Sequence, residues 1–176
     1  MSKPSAFGKE TNYQAFVELG KEIGIAKNKK ALSQQVKHFV GEDIVASQRA
    51  ASVLHHVCNT APELFENYAK ELLHVFNHPI HDSGPRVVFR ILKRIKISEK
   101  HLGSVIDMAF KYLNDVKTPV AIKVNAMYVI ANYTEDYPDL ISELSTSIRN
   151  QYNHQPPAFS ACVRKLSKQL HRRLLE

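Results

Sequence analysis

The chain has 176 residues, 44% of them apolar, and carries 24 Lys and Arg against 17 Asp and Glu, for a net charge of +7. This is the composition of one ordinary folded domain, and no run of about 18 apolar residues is present to form a membrane-spanning helix. Only 6 Gly and no strand-like runs speak against a dinucleotide-binding βαβ unit.

The opening Met1-Ser2-Lys3-Pro4-Ser5 lacks the apolar core of a secretory signal. Residues 1–10 read as a flexible tail. Tyr13, Phe16, Val17, Leu19 and Gly20 follow a helical pattern, and a second helix over 29–40 has the stripe Leu32, Val36, Phe39 and Val40, stopped by Gly41. These two helices (11–41) read as a terminal cap, which a repeat array needs because an end unit has no neighbour over its apolar side.

From Gln48 to Tyr152 the chain repeats itself with a step of 38 residues. Leu64, Leu102 and Leu140 keep the step, as do Tyr68, Ile106 and Leu144; Leu72, Phe110 and Ile148; and Val53, Ile91 and Val129. Thr60, Ser98 and Asp136 fall on it too. Each has a side-chain oxygen able to accept an unpaired N–H of a helix's first turn. A fixed period with apolar and capping positions in register marks a helical-repeat array.

Each unit reads as an antiparallel pair, helix A then helix B. In repeat 1 (42–78), helix A runs from Asp43 to Cys58, and Thr60, Pro62 and Glu63 form a capping-box start for helix B. Its predicted core stripe is Leu64, Tyr68, Leu72, Val75 and Phe76. Repeat 2 (84–115) has Val88, Ile91, Leu92 and Ile95, then Ser98, then Leu102, Ile106, Phe110 and Leu113. Repeat 3 (119–153) has Ala126, Val129, Ile130 and Tyr133, then Asp136 and Pro138, then Leu140, Leu144 and Ile148. Pro79, Pro85, Pro119 and Pro156-Pro157 punctuate the boundaries, since proline starts a helix but does not continue one. A last helix over 157–175, with Phe159, Cys162, Val163, Leu166, Leu170 and Leu174 as its stripe, closes a single domain of residues 11–176.

On this period, pairing and apolar register, residues 42–176 resemble the HEAT/armadillo class of helical-repeat proteins. The resemblance implies an all-α, right-handed α-α superhelix of antiparallel helix pairs. The Asp and Arg/Lys pair that typical HEAT units carry is absent here, so the resemblance extends to architecture and not to a particular function. HEAT-like DNA-alkylation-repair glycosylases are similar in being small and basic. With no Trp in the chain and no aromatics to place beside Glu66 or Asp107, no catalytic residue is carried over.

Chemistry-bearing motifs are sparse. There is no Gly-rich phosphate loop and no Gly-x-Ser-x-Gly elbow. His74 and His78 are four apart, with His81 following Pro79, a spacing that can hold zinc. Pro79 ends the helix there and no Glu or Cys completes a set, so packing histidines are expected and no metal or cofactor is assigned. Cys58 and Cys162 read as buried, reduced thiols of a cytoplasmic protein. Glu135, Asp136, Asp139 and Glu143 read as helix-start carboxylates.

Charge is the clue to partners. Superposing the repeats puts Ser52, Arg90, Tyr128 and Lys165 at one outward position, and His55, Lys93, Ala131 and Lys168 at another. With Arg94 and Arg172 these make a basic stripe on the A-helix side, suited to nucleic-acid phosphates or an acidic protein surface. Outward lysines and arginines are most often only solvated. The B-helix face, with Glu66, Lys70, Glu71, Asp107, Lys111 and Arg149, has mixed charge. Mixed charge suits a protein partner better than a phosphate backbone. The expected function is therefore a non-catalytic protein-interaction scaffold, with nucleic-acid binding, including a repair-glycosylase relationship, as the alternative; no membrane contact is expected.

Overall fold

The computed structural model describes residues 10–77, 81, 83–172 and 174–175. The predicted tail (1–10) falls almost entirely outside them, as do His78, Pro79 and Arg173. The described residues are helical throughout, with no strand, and form two compact units that meet in sequence at Ile97 and Ser98.

In the first unit, α1 (Glu10–Ile25), α3 (Ile44–Thr60) and α5 (Ser83–Leu92) lie side by side in one layer, with α3 in the middle. The second layer is α2 (Lys29–Val40) and α4 (Ala69–Asn77), the latter entered through a 3-10 turn over Pro62–Tyr68. Leu54, Val57 and Cys58 of α3 are fully buried between the layers, with Leu32 of α2 and Leu72 of α4. Two caps fix the helix starts. Asn28 Oδ1 accepts from Ala31 N at 3.0 Å, and Asp43 Oδ1 accepts from Val45 N and Ala46 N at 2.9 and 3.0 Å. The contact of α1 with α3 is close enough to need glycine: a Cβ on Gly20 would stand 2.6 Å from both His56 Cβ and Val53 O, and one on Gly24 2.7 Å from Thr60 Cβ.

The predicted capping series fails in this region. Thr60 is the last residue of α3, and its hydroxyl donates back to His56 O at 3.1 Å instead of capping the next helix. Pro62 disfavours a helical residue before it, and Ala61 leaves the helix with φ −147° and ψ 71°. The chain then winds with three residues per turn, which advances the phase of the stripe. Phe65 and Ala69 are therefore buried, where Leu64 and Tyr68 were expected and are only half-buried. Glu63 closes no capping box; it pairs with Lys27 at 2.8 Å.

The second unit is built around α7 (Val120–Ala131), which packs on α6 (Glu99–Asn114), α8 (Asp139–Arg149) and α9 (Pro157–Gln169). Because neighbours surround it, α7 is buried on nearly every side, including Lys123 and Asn125. Ser98 holds the N-cap position of α6 but makes no side-chain cap bond, and α8 starts beyond Asp136, with Pro138 before it. The last helix is shorter than the expected 157–175. It ends at Gln169, where His171 takes a positive φ of 48° and Arg172 N bonds back to Ser167 O at 3.1 Å. Leu174 is still buried, as its stripe position predicts, but it reaches the core from this turn.

Candidate functional site

The first unit has an open groove of about 470 Å³ along α1, α3 and α5. The repeat register explains its make-up: Gln48 and Ser52 of α3 line it, and so do Arg86 and Arg90, 38 residues later on α5. His55 sits one turn beyond Ser52, and Arg90 Nη1 lies 3.1 Å from its Nε2. Burial first, then the Arg90 charge, push the His55 pKa down to about 4, so the ring is neutral at pH 7 and accepts from the guanidinium. His56 is shifted the same way by burial and by Lys21, and its ring meets Tyr13 edge-on at 6.3 Å between centroids. Arg90 itself is held below the usual guanidinium value by burial and by Arg94, and its Nε is buried with no hydrogen-bond partner among the described residues.

Behind the groove, Arg94 ties α5 to the end of α3 by donating to Cys58 O at 3.1 Å and to Asn59 Oδ1 at 2.5 Å. Cys58 is buried and free; burial pushes its thiol up, against the pull of Arg94. Cys162 in the second unit is also buried and forms no disulfide. His81 bonds to Ser47 and Ser83. His74 is exposed and His78 lies outside the described residues, so the histidine trio is described only in part; among the described residues no three His, Cys, Asp or Glu gather in a group.

The second unit has a groove of about 560 Å³ between α6 and the turn into α8. Leu102, Ile106, Tyr137 and Leu140 give it apolar walls, and Glu99, Asp107, Asp136 and Asp139 supply carboxylates. Two of the four acidic residues read as helix-start chemistry thus face a groove. On the other layer Lys165 Nζ sits 5.9 Å above the centre of the Tyr128 ring.

Residues 8–170 match the HEAT repeat domain family. The chain belongs to the HEAT repeat family. Its fold is accordingly an all-α solenoid of helix pairs, as the 38-residue period implied. No curated protein and no solved structure matches this HEAT repeat chain significantly. No described helix is long and apolar enough to cross a membrane.

Within each unit the HEAT register sets Ser52 and Arg90 along one groove in the first and Tyr128 beneath Lys165 in the second; Ala131, expected at an outward position, is instead buried because α7 is surrounded by its neighbours. The basic residues are not equivalent, however. Arg94, Lys165, Lys168 and Arg172 are exposed, whereas Arg90 and Lys93 are half-buried. Of the mixed-charge set, Glu66, Lys70, Asp107, Lys111 and Arg149 are exposed. Glu71 is half-buried, with Oε2 lacking a hydrogen-bond partner among the described residues. Tyr13, Gln48 and Ser83 were not expected at a site: from sequence Tyr13 is part of a helical pattern and Gln48 only the start of the repeating stretch. The signal was available for Gln48, since it stands one 38-residue step before Arg86.

Proposed function

We propose that this HEAT repeat chain is a non-catalytic binding module that works as a protein-interaction scaffold, with residues 11–41 and 157–175 closing the two ends of a single array. The observation that carries the reading is the groove between α6 and α8. Apolar walls of Leu102, Ile106 and Leu140 beside an exposed Tyr137 and four carboxylates suit a basic, amphipathic segment of a protein. They repel a phosphate backbone. The mixed charge of Glu66, Lys70 and Glu71 in the first unit and of Asp107, Lys111 and Arg149 in the second points the same way.

The test is cross-linking and affinity purification of the tagged full chain, in parallel with Tyr137→Ala and Asp107→Lys variants. A defined protein retained at about 150 mM salt by the wild type, and lost from both variants, supports the reading. A wild type that retains no protein under those conditions defeats it.

Nucleic-acid binding has one observation in its favour, the exposure of Arg94, Lys165, Lys168 and Arg172. Anisotropy of labelled DNA and RNA at low and near-physiological salt decides it. Affinity that is unchanged by Lys93→Glu with Lys168→Glu removes the basic stripe from consideration.

A further inference from the structure

The α1–α3–α5 groove carries a charge imbalance that nothing described within it resolves. Arg86 and Arg90 stand four residues apart on α5, so both project from one face of the helix into the groove. Its other lining groups are hydroxyls, an amide, histidines and apolar side chains; none of the described lining residues is a carboxylate. Arg94 adds a third positive charge at the next turn. Among the described residues, half-buried Arg90 has a side-chain hydrogen bond to the neutral His55, and its Nε is buried without a partner. Guanidinium groups taken partly out of water without a counter-charge are costly, and they are retained where an oxyanion completes them.

We propose that this groove binds a phosphate monoester, with Arg86 and Arg90 as the charged clamp. The charge count selects the ligand. A monoester brings close to two negative charges and three acceptor oxygens to two guanidinium groups, whereas a carboxylate brings one charge. The volume selects it too. About 470 Å³ is far more than a bare phosphate fills and lies in the range of small-molecule sites. The remaining space is bordered by the Tyr13 and His56 rings, a wall suited to the organic part of the ester. The site lies wholly in the first unit and does not depend on the interaction groove of the second.

The test is calorimetric titration of the full chain with phenyl phosphate, inorganic phosphate, benzoate and a short single-stranded oligonucleotide. The expected result is saturable phenyl phosphate binding, at least about tenfold tighter than inorganic phosphate or benzoate, for one charge-assisted contact and the ring wall. Arg86→Ala removes an exposed side chain and should leave the helical spectrum intact while weakening binding at least about tenfold. Arg90→Gln should abolish binding, and Lys37→Ala, on an exposed face of α2, should leave it unchanged. Equal affinity for inorganic phosphate or benzoate overturns the proposal. So does binding confined to the oligonucleotide, or a folded Arg86→Ala protein that binds phenyl phosphate as well as the wild type.

Discussion

Replacing Gln151 by Leu should destabilise the protein more than replacing the buried cation that Gln151 serves. Lys123 is only 1% exposed, and burial holds its ammonium below the usual lysine range, partly offset by Asp115. Its Nζ donates to Gln151 Oε1 at 2.6 Å, and Gln155 Nε2 donates to the same oxygen at 3.2 Å. Gln151 Nε2 in turn donates to Leu113 O, near the end of α6, at 3.0 Å and to Ser147 O in α8 at 2.9 Å. One amide thus joins three helices and a buried charge. Gln151→Leu preserves volume but strips Lys123 of this partner and takes a donor from two carbonyls, at a cost of about 2–4 kcal/mol. For a chain of this size that is a fall in Tm of about 5–12 °C. Lys123→Met removes the charge along with its need for a partner and should cost under about 1.5 kcal/mol. The double variant should then be more stable than Gln151→Leu alone. Thermal and urea unfolding of the four proteins, followed by far-UV circular dichroism, reads all of this. A Gln151→Leu protein within about 2 °C of wild type, or a double variant no better than Gln151→Leu, would show that the network does not hold the second unit together.

Three further outcomes are expected. The folded-state pKa of His55, about 4 against an ordinary 6.5, means the unfolded chain binds the extra proton between those values. The stability involved is present above pH 6.5 and is lost as pH falls toward 4. Because the ring is partly solvated the loss is about 1–2 kcal/mol, read as the difference in pH dependence between wild type and His55→Gln in urea titrations at about pH 7.5 and 4.5. Equal slopes for the two proteins would refute it. Gly20→Ala should lower stability by about 1–3 kcal/mol, since its Cβ would meet α3 at 2.6 Å, while Gly103→Ala, with open space around it, should raise stability by up to about 1 kcal/mol. Thermal melts that rank these two alanines in the opposite order would contradict the close approach of α1 to α3. Asp43→Ala should cost about 1 kcal/mol through two lost cap bonds, and Thr60→Ala no more than about half of that; chemical denaturation separates them.

The sequence by itself determined the period and the inward register that the period imposes. Val53, Ile91 and Val129 are all buried, as are Leu72, Phe110 and Ile148, because a 38-residue step puts equivalent apolar residues of each helix pair on the same inward face; in the other two series Leu102 and Leu144 are buried, whereas Leu64, Leu140, Tyr68 and Ile106 are only half-buried. The pairing of Ser52 with Arg90 and of Tyr128 with Lys165 was legible for the same reason. Tertiary structure decided the features that depend on the path of the backbone between helices. A proline at position 62 turned the start of a predicted α-helix into a 3-10 turn, moved burial from Leu64 to Phe65 and left Thr60 closing one helix instead of opening the next. It also decided how each polar group is used. From sequence, Lys123 is one more cation and Arg90 one more member of an outward stripe. Packing buries the first inside the second unit, against the Gln151 amide, and half-buries the second beside a neutral histidine. Periodicity records which side of a helix a residue occupies; how deeply it is covered, and what faces it, depends on neighbours that are distant in the chain.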